Sequence, residues 1–179
     1  MTLRTVRLGT ADGELADALA AIREELGVPA GFPPEVIAEA TAAAASVALP
    51  ELDLLDIPFI TIDPTDAMDL DQAMHLERHG HGYRVRYAIA DVPAFVRPGG
   101  ALDADALKRG QTLYLPDGRI PLHPLVLSES AASLLPGEIR GAFVWTFDLD
   151  SDARVSSTTL ERARVRSTAR FDYAEVQSL

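Results

Sequence analysis

Leu15, Ala18, Leu19, Ile22 and Leu26 recur at the three- and four-residue spacing of one helix face, while Arg23, Glu24 and Glu25 fall largely off it. This pattern predicts a helix from Asp12 to Leu26, with Gly27 as the residue that ends it. The segment Pro29 to Pro34 breaks the periodicity, and Pro34 suits the first turn of a second, alanine-rich helix from Glu35 to about Val47, closed off by Pro50. From Ile57 the pattern changes to strands. Ile57–Asp63 is a continuous apolar run ending on a carboxylate, and Gln72–Glu77 is a second strand. Gly80-His81-Gly82 marks a turn. Tyr83 to Asp91 then alternates, with Tyr83, Val85, Tyr87 and Ile89 on one face and Arg84 and Arg86 on the other. His79 and His81 fall in or beside the turn, where solvation is a better reading than metal binding.

Farther along, Asp103 is expected to cap a short helix running through Arg109 to Gly110. Residues 111–141, punctuated by Pro116, Gly118, Pro121, Pro124, Pro136 and Gly137, read mostly as loop. Ser128, Ser130 and Ser133 in this loop lack a nucleophile elbow and read as caps and turn residues. Phe143, Trp145, Phe147 and Leu149 form the aromatic face of a strand, assigned to core packing in preference to base stacking. That strand is expected to pair, across Asp150–Ala153, with another from about Val155 to Val165. Asp172-Tyr173-Ala174-Glu175 is a capping box opening a last helix. The predicted fold is α+β: a helical lead-in over residues 1–50, then a largely antiparallel sheet over 51–179.

Composition narrows the classes. A chain of 179 residues suits one domain, and its lack of cysteine rules out disulfides, thiolate metal sites and a cysteine nucleophile. The first residues lack the apolar core of a signal peptide, and Ala42 to Leu49 is too short to span a bilayer, so a cytoplasmic protein is expected. The formal net charge of −11 argues against a simple electrostatic nucleic-acid binder. Its distribution softens that argument. Residues 1–75 carry 3 basic and 14 acidic side chains, and residues 76–179 carry 13 of each. Arg154, Arg162, Arg164, Arg166 and Arg170 make a locally basic strip.

The chemistry concentrates between Asp63 and Asp71. Asp63, Asp66, Asp69 and Asp71 fall within nine residues, directly after the apolar strand. Pro64 cannot donate a ladder hydrogen bond, so the chain must turn there. In an extended Asp69-Leu70-Asp71, alternation places both carboxylates on one face and Leu70 on the other. Carboxylates so close repel unless a cation neutralises them, and hard oxygen donors without His or Cys suit Mg²⁺ or Mn²⁺. An EF-hand is disfavoured, because its glycine and final glutamate positions counted from Asp69 are Met74 and Gly80.

Several stretches, taken in order, resemble the catalytic (RNB) domain of the ribonuclease II and ribonuclease R family. They are Phe59-Ile60-Thr61-Ile62-Asp63 with Asp69-Leu70-Asp71-Gln72-Ala73, then Ala88-Ile89-Ala90-Asp91-Val92 with Val96-Arg97-Pro98-Gly99. Arg109 to Pro116 with Ile120-Pro121 follows, and then Leu127-Ser128 with Ser133-Leu134-Leu135-Pro136. Phe32-Pro33-Pro34-Glu35-Val36 resembles the lead-in. The resemblance implies a Mg²⁺-dependent (or Mn²⁺-dependent) 3′-to-5′ exoribonuclease that hydrolyses single-stranded RNA to nucleoside 5′-monophosphates. It implies Asp63, Asp69 and Asp71 as catalytic, metal-holding residues, with Gln72 standing where the family has a fourth aspartate and still able to ligate through its amide oxygen. Tyr114 matches the aromatic that stacks near the 3′ end, and Tyr114 and Arg119 are the expected RNA contacts. The resemblance covers only the first half of the family's catalytic domain, so weak or absent activity is expected of these residues alone. The alternative is a catalytically inactive RNB-like module that binds RNA or a protein.

Overall fold

A computed structural model describes residues 13–27, 29 and 31–178. Asp12, where the first helix was expected to start, and the leading residues read for a signal peptide lie outside them.

Two helices open the described chain, α1 (Glu14–Glu25) and α2 (Pro34–Ser46). The short β1 (Leu52–Asp53) and β2 (Phe59–Ile62) follow, then the hairpin β3 (Gln72–His79) and β4 (Gly82–Ala90). A 3₁₀ turn at Val92–Ala94 leads to α3 (Ala101–Arg109). Next come a small hairpin, β5 (Leu113–Leu115) and β6 (Gly118–Ile120), and a π-helical turn at Leu127–Ala131. The long hairpin β7 (Ile139–Leu149) and β8 (Val155–Phe171) precedes α4 (Tyr173–Ser178). The α+β expectation holds. Gly27, at φ 61°, follows α1 as expected, and the capping box forms reciprocally: Asp172 N–H donates to Glu175 Oε2 at 2.8 Å and Glu175 N–H to Asp172 Oδ1 at 2.8 Å.

The sheet runs β1-β8-β2-β3-β4-β7, with a further pairing of β8 to β7 that closes a ring of five strands. β8 makes this closure possible by its length. Its first part pairs antiparallel with β7, from Val155 opposite Leu149 to Arg166 opposite Ile139. Its end pairs parallel with β2, from Ser167 opposite Phe59 to Phe171 opposite Ile62. Alternation then selects which side chains face in: Phe59, Ala73, Ala88, Ala90, Ala142, Val144, Ala163 and Val165 form the core inside the ring. A second core lies between α2, α3 and the π turn, built on Val36, Ala40, Leu102 and Leu127. The N-terminal helix α2 is therefore part of the packed body, and Glu39 on it accepts a 2.7 Å hydrogen bond from the first N–H of α3, at Ala101.

Three expectations are corrected here. The aromatic face of β7 is not the core face: Ala142 and Val144 are buried, while Phe143, Trp145 and Phe147 are half-buried on the outside, beside Tyr87 and a 40% exposed Ile89. A five-stranded ring has a narrow interior that favours small residues, so the alternate alanines win it. Asp103 is not the N-cap of α3. That position is Gly100, and the Asp103 carboxylate reaches back from the first turn to the Gly99 N–H at 2.8 Å. Residues 111–141 contain the β5–β6 hairpin, the π turn and the start of β7. Of the basic strip, Arg162 pairs with Asp91 at 2.5 Å and Arg164 with Asp53 at 3.1 Å, and Arg170 donates to backbone carbonyls.

Candidate active site

The acidic stretch leaves the ring at the end of β2 and returns at the start of β3. Its backbone is tied at each step. Asp63 N–H donates to the Phe171 carbonyl at 3.0 Å, continuing the β2–β8 pairing one residue beyond β2. Arg170 of β8 donates to the carbonyls of Thr65 and, at 2.6 Å, Ala67. Ser133 closes the other side: its hydroxyl donates to the Met68 carbonyl at 2.7 Å and accepts from Leu70 N–H at 3.0 Å. Leu134 N–H donates to the Leu70 carbonyl at 2.7 Å, and Ala90 N–H to the Asp71 carbonyl at 2.9 Å. Leu70 is 0% exposed. With Leu70 inserted, Asp69 and Asp71 face the same way, as alternation requires.

Asp63, Asp66, Asp69 and Asp71 line one cavity of about 520 Å³, together with Tyr114 and Arg119 of the β5–β6 hairpin. Burial, and then the neighbouring charges of Asp71 and Asp69, raise the Asp63 pKa above the ordinary carboxylate value, with Arg170 offsetting part of the rise. Burial likewise raises Asp71, a hydrogen bond from its own backbone opposes that, and Asp69 adds to the rise. The resident counter-charge is Arg119, whose guanidinium donates to Asp69 Oδ2 at 2.7 Å and to Glu129. Tyr114 is 73% exposed at the cavity mouth.

The structure brings together five of the six residues expected at the site: Asp63, Asp69, Asp71, Tyr114 and Arg119. Gln72 is the exception. As the first residue of β3 it points to the opposite face from Asp71, and its Oε1 accepts a hydrogen bond from the Tyr87 hydroxyl. Hard carboxylate oxygens around one cavity fit a divalent cation in donor type. Among the described residues, however, no three His, Asp or Glu side chains stand close enough to hold a metal ion, with Asp69 turned to Arg119. Sequence reasoning also missed His123. It lines a second cavity that shares Asp69, Asp71 and Tyr114 with the first. Only its position between Leu122 and Pro124, within the loop that also carries Tyr114, hinted at it.

Residues 51–179 match the model of the RNB domain. The chain belongs to the RNB domain family. Ribonuclease R of Acidithiobacillus ferrooxidans is 36% identical to this RNB chain over 159 residues, which cover 86% of the chain and 36% of that relative. A Mycoplasma genitalium RNase R, solved in complex with double-stranded RNA, superposes with a TM-score of 0.79 at 26% identity, over 90% of this chain and 29% of that one. Yeast Ssd1, a pseudonuclease, shares the fold at a TM-score of 0.63 and 19% identity, over 71% of this chain and 16% of that one. The chain thus spans about a third or less of the length of the proteins it matches. Among the described residues no helix is long and apolar enough to cross a membrane.

Proposed function

We propose that this RNB domain hydrolyses single-stranded RNA from the 3′ end, releasing nucleoside 5′-monophosphates, with Asp63, Asp69 and Asp71 drawn together around Mg²⁺ or Mn²⁺ once Asp69 leaves Arg119. The observation that carries the proposal is the convergence of these carboxylates on one cavity, where burial and neighbouring charge oppose the ionisation of Asp63 and Asp71. Such a set is stabilised by a cation; Arg119 divides its one charge between Asp69 and Glu129, and Arg170 offsets only part of the rise at Asp63. A bound divalent ion would neutralise the phosphate and lower the pKa of an attacking water. The protein's own groups do the rest. The fixed backbone of residues 63–71 sets the carboxylate directions without reorganisation. Tyr114 offers an exposed ring on which a terminal base can stack. Arg119, on leaving Asp69, has the planar fork that pairs with phosphate. We also propose that the protein works in the cytoplasm, where single-stranded RNA is available to it.

The test is digestion of a 5′-labelled single-stranded RNA in Mg²⁺, comparing this chain, and any longer natural form that contains it, with the Asp71→Asn variant of each. The expected result is a ladder shortening from the 3′ end, reduced at least 100-fold by the substitution. RNA that is bound yet uncut by every form would favour the second reading, a catalytically inactive RNA-binding module. That reading draws on Gln72 standing where the family pattern has an aspartate, and on the salt bridge at Asp69.

A further inference from the structure

The donor set around the acidic cavity suits a divalent ion, yet Asp69 is turned to Arg119. The element that brings Arg119 there is set apart from the ring. β5 and β6 form a two-stranded sheet of their own, paired from Leu113 opposite Ile120 to Leu115 opposite Gly118. The hairpin is tied at its base and at its turn. At the base, Leu122 N–H donates to Thr112 Oγ1 at 3.0 Å. At the turn, Asp117 accepts a 2.5 Å hydrogen bond from Arg23 of α1, a helix in which Leu19 is the buried residue. Between these ties Arg119 has two acceptors. One guanidinium nitrogen donates to Asp69 Oδ2 at 2.7 Å and the other to Glu129. Both acceptors stand on the packed body. Asp69 adjoins the fully buried Leu70, and Glu129 lies on the π-helical turn that Leu127 anchors in the second core. The Arg119 side chain is 33% exposed, so its guanidinium can leave one carboxylate for the other without uncovering the core.

We propose that Arg119 is a built-in cation with two seats: it competes with the divalent ion for Asp69, and it withdraws to Glu129 alone when the ion binds. Glu129 is then a positioning residue. It raises metal affinity without ligating, because a displaced guanidinium beside a dication is repelled unless a second carboxylate neutralises it. The N-terminal helix enters through the hairpin turn. The Arg23–Asp117 pair holds the hairpin over the cavity, which raises the effective concentration of Arg119 at Asp69. The inference rests on the carboxylate cavity being a metal site.

The test is a double-mutant cycle read by Mg²⁺ calorimetry on the metal-free protein, with NMR of ¹⁵N-labelled arginine side chains beside it. Glu129→Ala is expected to weaken Mg²⁺ binding about fivefold, the upper end for a part-exposed ion pair. In an Arg119→Met background the same substitution should change affinity by less than about twofold, because the guanidinium it serves is gone. Arg23→Gln should tighten Mg²⁺ binding by about twofold, and again only where Arg119 is present. In EDTA, the Arg119 guanidinium should stay ordered in Asp69→Asn, held by Glu129, and become mobile in Asp69→Asn combined with Glu129→Ala. Saturating Mg²⁺ should move the Arg119 signals of the unaltered chain to their positions in Asp69→Asn. Equal weakening by Glu129→Ala in both backgrounds, or Arg119 signals unmoved by saturating Mg²⁺, would overturn the inference and leave the carboxylate site standing. Failure of every form to bind Mg²⁺, Arg119→Met included, would defeat the metal reading and this inference with it.

Discussion

At the scale of single residues, Asp71 and Arg119 make opposite contributions to the cation requirement. The folded pKa of Asp71 lies above the ordinary 3.8, so ionisation costs the folded state more than the unfolded one. That penalty is absent below pH 3.8 and grows as the pH rises through the folded value. In EDTA at pH 7, Asp71→Asn is therefore expected to raise the melting temperature, by about 2 °C because the side chain is exposed on its cavity side and partly screened. The gain should vanish near pH 3, which thermal melts across pH would show. Arg119 competes with a metal for Asp69. Arg119→Met should tighten Mg²⁺ binding roughly tenfold, as one unit charge leaves the site, measured by calorimetry on the metal-free protein. Gln72 bonds to Tyr87 and lies away from this contest, so Gln72→Asp is expected to change Mg²⁺ affinity by no more than about twofold.

At the scale of elements, the acidic loop depends on partners distant in sequence. Ser133→Ala would leave the buried Leu70 N–H without its acceptor and the Met68 carbonyl without its donor, at a cost of about 1–3 kcal/mol, readable in urea denaturation. These distances also explain what the sequence makes legible. The direction of Asp69, Leu70 and Asp71 follows from alternation over three residues, a local rule. The β3–β4 and β7–β8 hairpins and the terminal capping box are local as well. Ser133, Arg119 and Arg170 are not: they reach the acidic stretch across 65, 50 and 103 residues, and no spacing rule connects them. The aromatic strand failed for a related reason. Alternation reveals that β4 and β7 each have two faces, but the closure of the ring decides which is inside, and closure depends on β8 reaching β2.

At the scale of the whole molecule, β8 holds two edges at once and leaves little room within. Ala163 is fully buried, opposite Ala142 on β7 and Leu52 on β1. Ala163→Leu is expected to overpack the ring and cost about 1–3 kcal/mol, with a lower urea midpoint at an unchanged slope. The same double pairing has a consequence in time. During synthesis the acidic stretch leaves the ribosome long before Arg170 and Phe171, the residues that fix its course, exist. At about 5–20 residues per second, roughly five to twenty seconds separate the two. Throughout that interval the carboxylates hang on an unfinished strand. A nascent chain therefore completes its carboxylate cavity only once β8 has emerged as far as Phe171.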